Sequence, residues 1–130
     1  MEEQLNFEEW FFQSDYELET AEHMLKTGRN VYCIFMCHLS LEKALKGLFI
    51  KRLNQIPPKL HDLMYFVENL ELETEDTNRE FLTSLTTIGA IALYPEDMKS
   101  MISQFPCEKA NSIYLQTKEF IGHIWTKSTE

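Results

Sequence analysis

The chain has 130 residues, 44% of them apolar, with Gly and Pro at four each and a formal net charge of −9. That length matches one domain of ordinary composition, and the shortage of turn residues argues against a β-rich chain. No uninterrupted apolar run reaches membrane-spanning length, and the net negative charge opposes tight non-specific binding to nucleic acid, which needs a positive surface.

Phe7 to Lys26 reads as the first helix, because Phe7, Phe11, Leu18, Ala21 and Leu25 recur at helical spacing along one stripe. Gly28 suits the residue after a helix end, and Asn30 is a candidate cap for the next helix. Val31 to Leu53 is the most apolar segment. Ile34, Leu41, Leu45 and Leu48 make its stripe, and Val31, Phe35, Leu39 and Phe49 widen it beyond one face. A helix apolar on nearly all sides is central, or also meets a second subunit.

Pro57-Pro58 is expected to end that helix. A third helix is expected over 59–70 with Leu60, Leu63, Met64 and Val67 inward. The acidic stretch 71–78 reads as a loop, and Arg79 to Ala92 as the fourth helix, with Phe81, Leu85, Ile88 and Ala92 buried. Tyr94-Pro95 breaks the pattern, and one helical turn is expected around Met98 to Ile102. Pro106 and Glu108 fit a first helical turn. Ala110, Ile113, Tyr114, Thr117, Phe120, Ile121 and Ile124 then form a stripe to the C-terminus. The expectation is one domain over 1–130, an all-α bundle of about five helices.

Residues 38–49 read HLSLEKALKGLF, followed by PPKLHDL at 57–63. With Trp10, the run SDYELETA at 14–21, Gly28, Tyr32 and the later Tyr94-Pro95, this resembles the HEPN family. Its hallmark is an AEKALK-like helix, a proline link, and a His-(Asp or Ser)-Leu start to the next helix. The resemblance implies an up-and-down helical bundle that dimerises through its long helices. It also implies one of several roles: metal-independent ribonuclease, partner of a small nucleotidyltransferase in a toxin–antitoxin pair, or nucleotide-binding domain. The family's Arg-Tyr-Pro signature is reduced here to Tyr94 and Pro95, preceded by Leu93.

The ribonuclease members carry an Arg followed four to six residues later by His near the start of the last long helix, and this chain has no such pair. Cleaving RNA without metal needs a proton carrier and a cation to hold the phosphate, so the absence argues against an enzyme. No catalytic residue is therefore assigned. The reading is a non-catalytic module that binds a nucleotide or RNA phosphate, or a protein such as a small nucleotidyltransferase. The alternative is a ribonuclease toxin with an unusual site built on lysines and His123 or His61.

Charge is uneven along the chain. Eight acidic and no basic residues lie between Glu2 and Glu22, whereas five basic and no acidic residues lie between Lys43 and His61. Lys43 and Lys46 share a helical face, and Lys59 and His61 are expected to open the next helix, where free N–H groups attract anions. These four are the candidate phosphate site. The competing expectation is that Lys43 and Lys46 pair with acids of the first helix, such as Glu19 or Glu22.

His38 with Glu42, and Cys33 with Cys37, have i, i+4 spacing. Without a second ligand pair this is weak ground for zinc, so neither a metal nor a cofactor is assigned. His61-Asp62 reads as a helix cap or an ordering element of the proline link. The Phe7, Trp10, Phe11 and Phe12 cluster is expected to be partly core and partly a possible partner surface. Three cysteines, an odd number, and an acidic start at Met1–Gln4 without a basic, apolar leader point to the cytoplasm.

Overall fold

The computed structural model describes residues 6–130, and the acidic start Met1–Gln4 lies outside them. Six helices follow one another: α1 Phe7–Lys26, α2 Asn30–Leu53, α3 Leu63–Asn69, α4 Asp76–Leu93, α5 Met98–Gln104 and α6 Cys107–Ser128. The described residues contain no strand. The all-α expectation holds, with six helices where about five were expected.

The α1–α2 turn is built by two backbone bonds. Gly28 N–H reaches the Leu25 carbonyl at 3.2 Å and Arg29 N–H reaches that of Met24 at 2.8 Å. This reverse turn needs a left-handed residue, and Gly28 supplies it at φ 79°. Asn30 does not cap α2 as expected. Arg29 holds the cap position without a side-chain bond, and the Asn30 amide instead donates to the Phe105 carbonyl at 3.1 Å.

α1 and α2 run antiparallel, since Ser14 meets Ser40, Gln13 meets Lys43 and Phe11 meets Gly47. α6 runs parallel to α2, because Asn30 bonds Phe105 near one end while Lys51 and Arg52 donate to the carbonyls of Ser128 and Lys127 at the other. Arg52 also donates to the Leu70 carbonyl at 3.2 Å, which fixes the end from which α4 sets out on its return. The four long helices thus alternate direction, and α3 and α5 are short elements within the connections.

α2 packs against every other helix, which explains why its apolar residues exceed one stripe. Ile34, Leu41, Leu45 and Leu48 are fully enclosed, as are Cys33 and Cys37; Cys107 is exposed. The whole α6 stripe from Ala110 to Ile124 is buried as expected. Phe11 meets the Trp125 ring edge-on at 4.6 Å, whereas Phe12 stays 67% exposed, so the aromatic cluster of α1 divides between core and surface.

α2 stops at Leu53 as read from the sequence, but the stop is set before the prolines by Asn54, which adopts the left-handed conformation at φ 51° and caps it. Two boundaries differ from the sequence reading. α3 begins only at Leu63, where the Asp62 carboxylate accepts from Met64 N–H at 3.1 Å. Lys59 and His61 therefore sit in the extended link before the helix, and Leu60 is exposed rather than inward. α4 starts at Asp76, three residues earlier than expected, with that acid in its first turn, where the helix dipole favours negative charge.

Candidate functional site

Lys43 and Lys46, three residues apart on α2, carry their charges to two different sides. Lys43 faces α1, where Nζ donates to Gln13 Oε1 at 2.8 Å and forms a close ion pair with Glu17. Burial raises the Glu17 carboxyl above its usual range, and the hydrogen bond and charge of Lys43 oppose that rise. The expected pairing of Lys43 with α1 is found, with Glu17 rather than Glu19 or Glu22 as the partner.

Lys46 turns inward instead. It is 6% exposed, and its Nζ donates to Glu42 Oε2 at 2.9 Å, one turn back on the same helix. The ammonium also lies 5.8 Å from the Trp10 ring centre and 5.7 Å from that of Phe66, so two aromatic faces share its charge.

The other Glu42 oxygen accepts from His61 Nδ1 at 2.9 Å. Glu42 thereby ties the proline link to α2. His38 completes the group: its Nε2–H donates to the His61 carbonyl at 3.0 Å, since a carbonyl can only accept. Burial lowers the His38 pKa, against the hydrogen bond to His61 and the Glu42 charge, which raise it. Gly89 of α4 lies flat on this imidazole, where a Cβ would come within 2.6 Å of the ring.

The structure brings Lys46 and His61 together through Glu42, but it does not assemble the four expected phosphate ligands into one cationic surface. Lys43 and Lys46 each face a carboxylate. Lys59 is exposed and forms no ion pair among the described residues. The His61 side chain is 77% exposed, which leaves its Nε2 edge open.

His123 lies apart, in a cleft of about 260 Å³ with Glu73, Glu75, Glu119 and Thr74. Its Nε2 and the Thr74 hydroxyl have no hydrogen-bond partner. No lysine or arginine lines that cleft among the described residues, and three glutamates do.

A larger cleft, about 630 Å³, opens where α4 ends and α5 begins. Tyr94 and Pro95 lie on it with Ile88, Ile91, Met101 and Phe105. Tyr94 caps the end of α4 and is 84% exposed. Asp97 starts α5 by accepting from Ser100 N–H at 3.0 Å. The sequence reading marked Tyr94-Pro95 but not the cleft. The break before a short acid-capped helix was the available signal.

The profile of the HEPN domain family matches residues 7–123, and the chain belongs to that family. Two solved structures share the fold at 17% identity each. TT1696 from Thermus thermophilus has a TM-score of 0.80, with 94% of this chain and 98% of that one covered. ST0689, described as an archaeal HEPN homologue, has a TM-score of 0.74, with 95% and 98% covered. A search of curated proteins finds no match. No described helix is long and apolar enough to cross a membrane.

Proposed function

We propose that this HEPN domain is a non-catalytic binding module that acts as a cytoplasmic homodimer and takes a protein partner, a small nucleotidyltransferase being the kind its family suggests. The observation that carries this reading is the internal use of the chain's charge. Lys43 and Lys46, the two lysines best placed to hold a phosphate, are already engaged by Glu17 and Glu42. A phosphate would have to displace a carboxylate in partly or fully buried surroundings, at the cost of leaving that carboxylate unpaired.

Nucleotide or RNA phosphate binding then falls to Lys59 and the open edge of His61, a small exposed pair suited to weak, salt-sensitive contacts. The ribonuclease alternative finds an oriented imidazole in His61, held by the Glu42 carboxylate, but no arginine beside it to stabilise a developing phosphorane.

A thermal-shift titration with mono-, di- and triphosphate nucleotides and a short RNA tests the reading, because any ligand of the native state raises the melting point. The expected result is little or no shift, with Lys43→Ala plus Lys46→Ala leaving the response to ligand unchanged. A saturable shift lost in that double variant would restore the phosphate site. Metal-independent RNA cleavage lost in His61→Ala or His123→Ala would overturn the non-catalytic reading.

A further inference from the structure

We infer that the cleft between the end of α4 and α5 docks a short segment of a partner protein in which an apolar side chain is flanked by arginine or lysine. This rests on the binding-module reading and specifies the chemistry of the partner.

The size and lining set the first half of the claim. About 630 Å³ falls within the range of clefts that accept a ligand or a few side chains. Ile88, Ile91, Met101 and Phe105 give it apolar walls, and Ile91 is 51% exposed. Tyr94, with 84% of its surface in solvent, offers an open aromatic face that nothing else in the fold uses.

Charge sets the second half. Glu96 and Asp97 are both exposed on the lining, and Ser100 and Gln104 are its neutral polar members. No basic side chain lines it among the described residues. Lys99 sits on α5, Arg29 belongs to the small neighbouring hollow beside Tyr32, and Lys109 lies over the Phe105 ring at 4.8 Å, but none of the three lines this cleft. One Asp97 oxygen accepts from Ser100 N–H, which fixes the carboxylate in place on the rim.

An apolar floor with two exposed carboxylates, that of Asp97 held in place and that of Glu96 free, and an open tyrosine face complements an apolar anchor beside a guanidinium or ammonium. The cation can pair with the acids and lie over the ring. Nucleic acid would place phosphates against those acids. A second copy docked here about a two-fold axis would set Glu96 and Asp97 against their own counterparts, within a chain of net charge −9.

Three synthetic peptides of equal length, sharing one leucine-containing centre and flanked by arginine, glutamine or glutamate, test this against the full isotope-labelled chain by amide shift mapping. The arginine peptide is expected to saturate, with its shifts centred on Ile91, Tyr94 and Met101. Its affinity should exceed that of the glutamine peptide by about tenfold, equivalent to about 1.4 kcal/mol. The glutamate peptide should bind least.

Glu96→Gln with Asp97→Asn should remove the preference for arginine while the melting point holds, because asparagine still caps a helix as aspartate does. Equal binding of the arginine and glutamine peptides overturns the proposal. So do shifts centred elsewhere, no shift at millimolar peptide, or a dimer in solution that covers Tyr94. Degradation of RNA by the same preparation would instead bring down the binding-module reading, whatever the peptides do.

Discussion

The seam of α2 with its neighbours and the cleft at the far end of α4 handle polar chemistry in opposite ways. Along the seam most strong groups are answered from within, the buried Glu17 Oε2 being an exception. Ser14 and Ser40 exchange hydroxyl-to-carbonyl bonds at 2.8 and 2.7 Å, Lys43 meets Glu17, and Lys46 and His61 share Glu42. At the cleft, Tyr94, Ile91 and Glu96 have no partner of that kind and remain in solvent. A lysine on a HEPN hallmark helix is thus a poor marker of binding when its fold supplies the counter-ion. The exposed group with no structural task is the better marker.

The contrast should break first at Lys46. Lys46→Ala leaves the Glu42 carboxylate buried with only His61, and a loss of about 3–5 kcal/mol in urea unfolding is expected. Replacing both members, as in Glu42→Gln with Lys46→Met, should cost much less, because no charge is then stranded. Equal losses for the single and double variants would mean that packing around Trp10 and Phe66, and not the ion pair, sets the cost.

A smaller effect is expected from pH. The folded state lowers the His38 pKa, so the unfolded chain takes up the proton first, near the usual value of about 6.5. The stability owed to neutral His38 is complete above that value and drains away as the pH falls below it. Glu42, Lys46 and His61 face the same imidazole, and Glu17, with its raised pKa, acts in the opposite sense. The melting point should therefore fall on acidification from neutrality, with a shallower slope in His38→Asn. An unchanged slope in that variant would assign the acid sensitivity to another group.

The smallest change in stability belongs to the cleft. Tyr94→Ala should shift unfolding by no more than about 0.5 kcal/mol, since the side chain it removes is mostly in water. A large loss there would show that the ring supports the α4–α5 connection, and would erase the distinction between the two regions.

Helix α1, the start of α6 and the buried α6 stripe were readable from spacing, because one apolar face against one core leaves a clean period. The start of α4 was not, since Asp76, Thr77 and Asn78 carry no apolar signal. They join the helix as its first turn, with Asp76 and Thr77 exposed and Asn78 half-buried. α3 proved shorter than its apolar content suggested, because Asp62 claims the cap and leaves Leu60 outside. For the site, Lys46 pairs with Glu42 at i, i+4 on its own helix, whereas the sequence reading set it against the acids of α1. Choosing Glu17 over Glu19 or Glu22 requires the register between two helices, which no single-helix pattern contains. The cleft needs three segments in their final places, and only its Tyr94-Pro95 edge left a mark in the sequence.

The distribution of cysteines gives this protein a built-in clock for its own opening. Cys107 lies exposed at the start of α6, while Cys33 and Cys37 are sealed in the first third of α2, the Cys37 thiol held protonated by its hydrogen bond to Cys33 and by burial. A thiol reagent should consume one equivalent quickly from the native chain and two more only as α2 is uncovered. Because α2 touches every other helix, the slow reaction of that pair times the loosening of the whole bundle, with no label added.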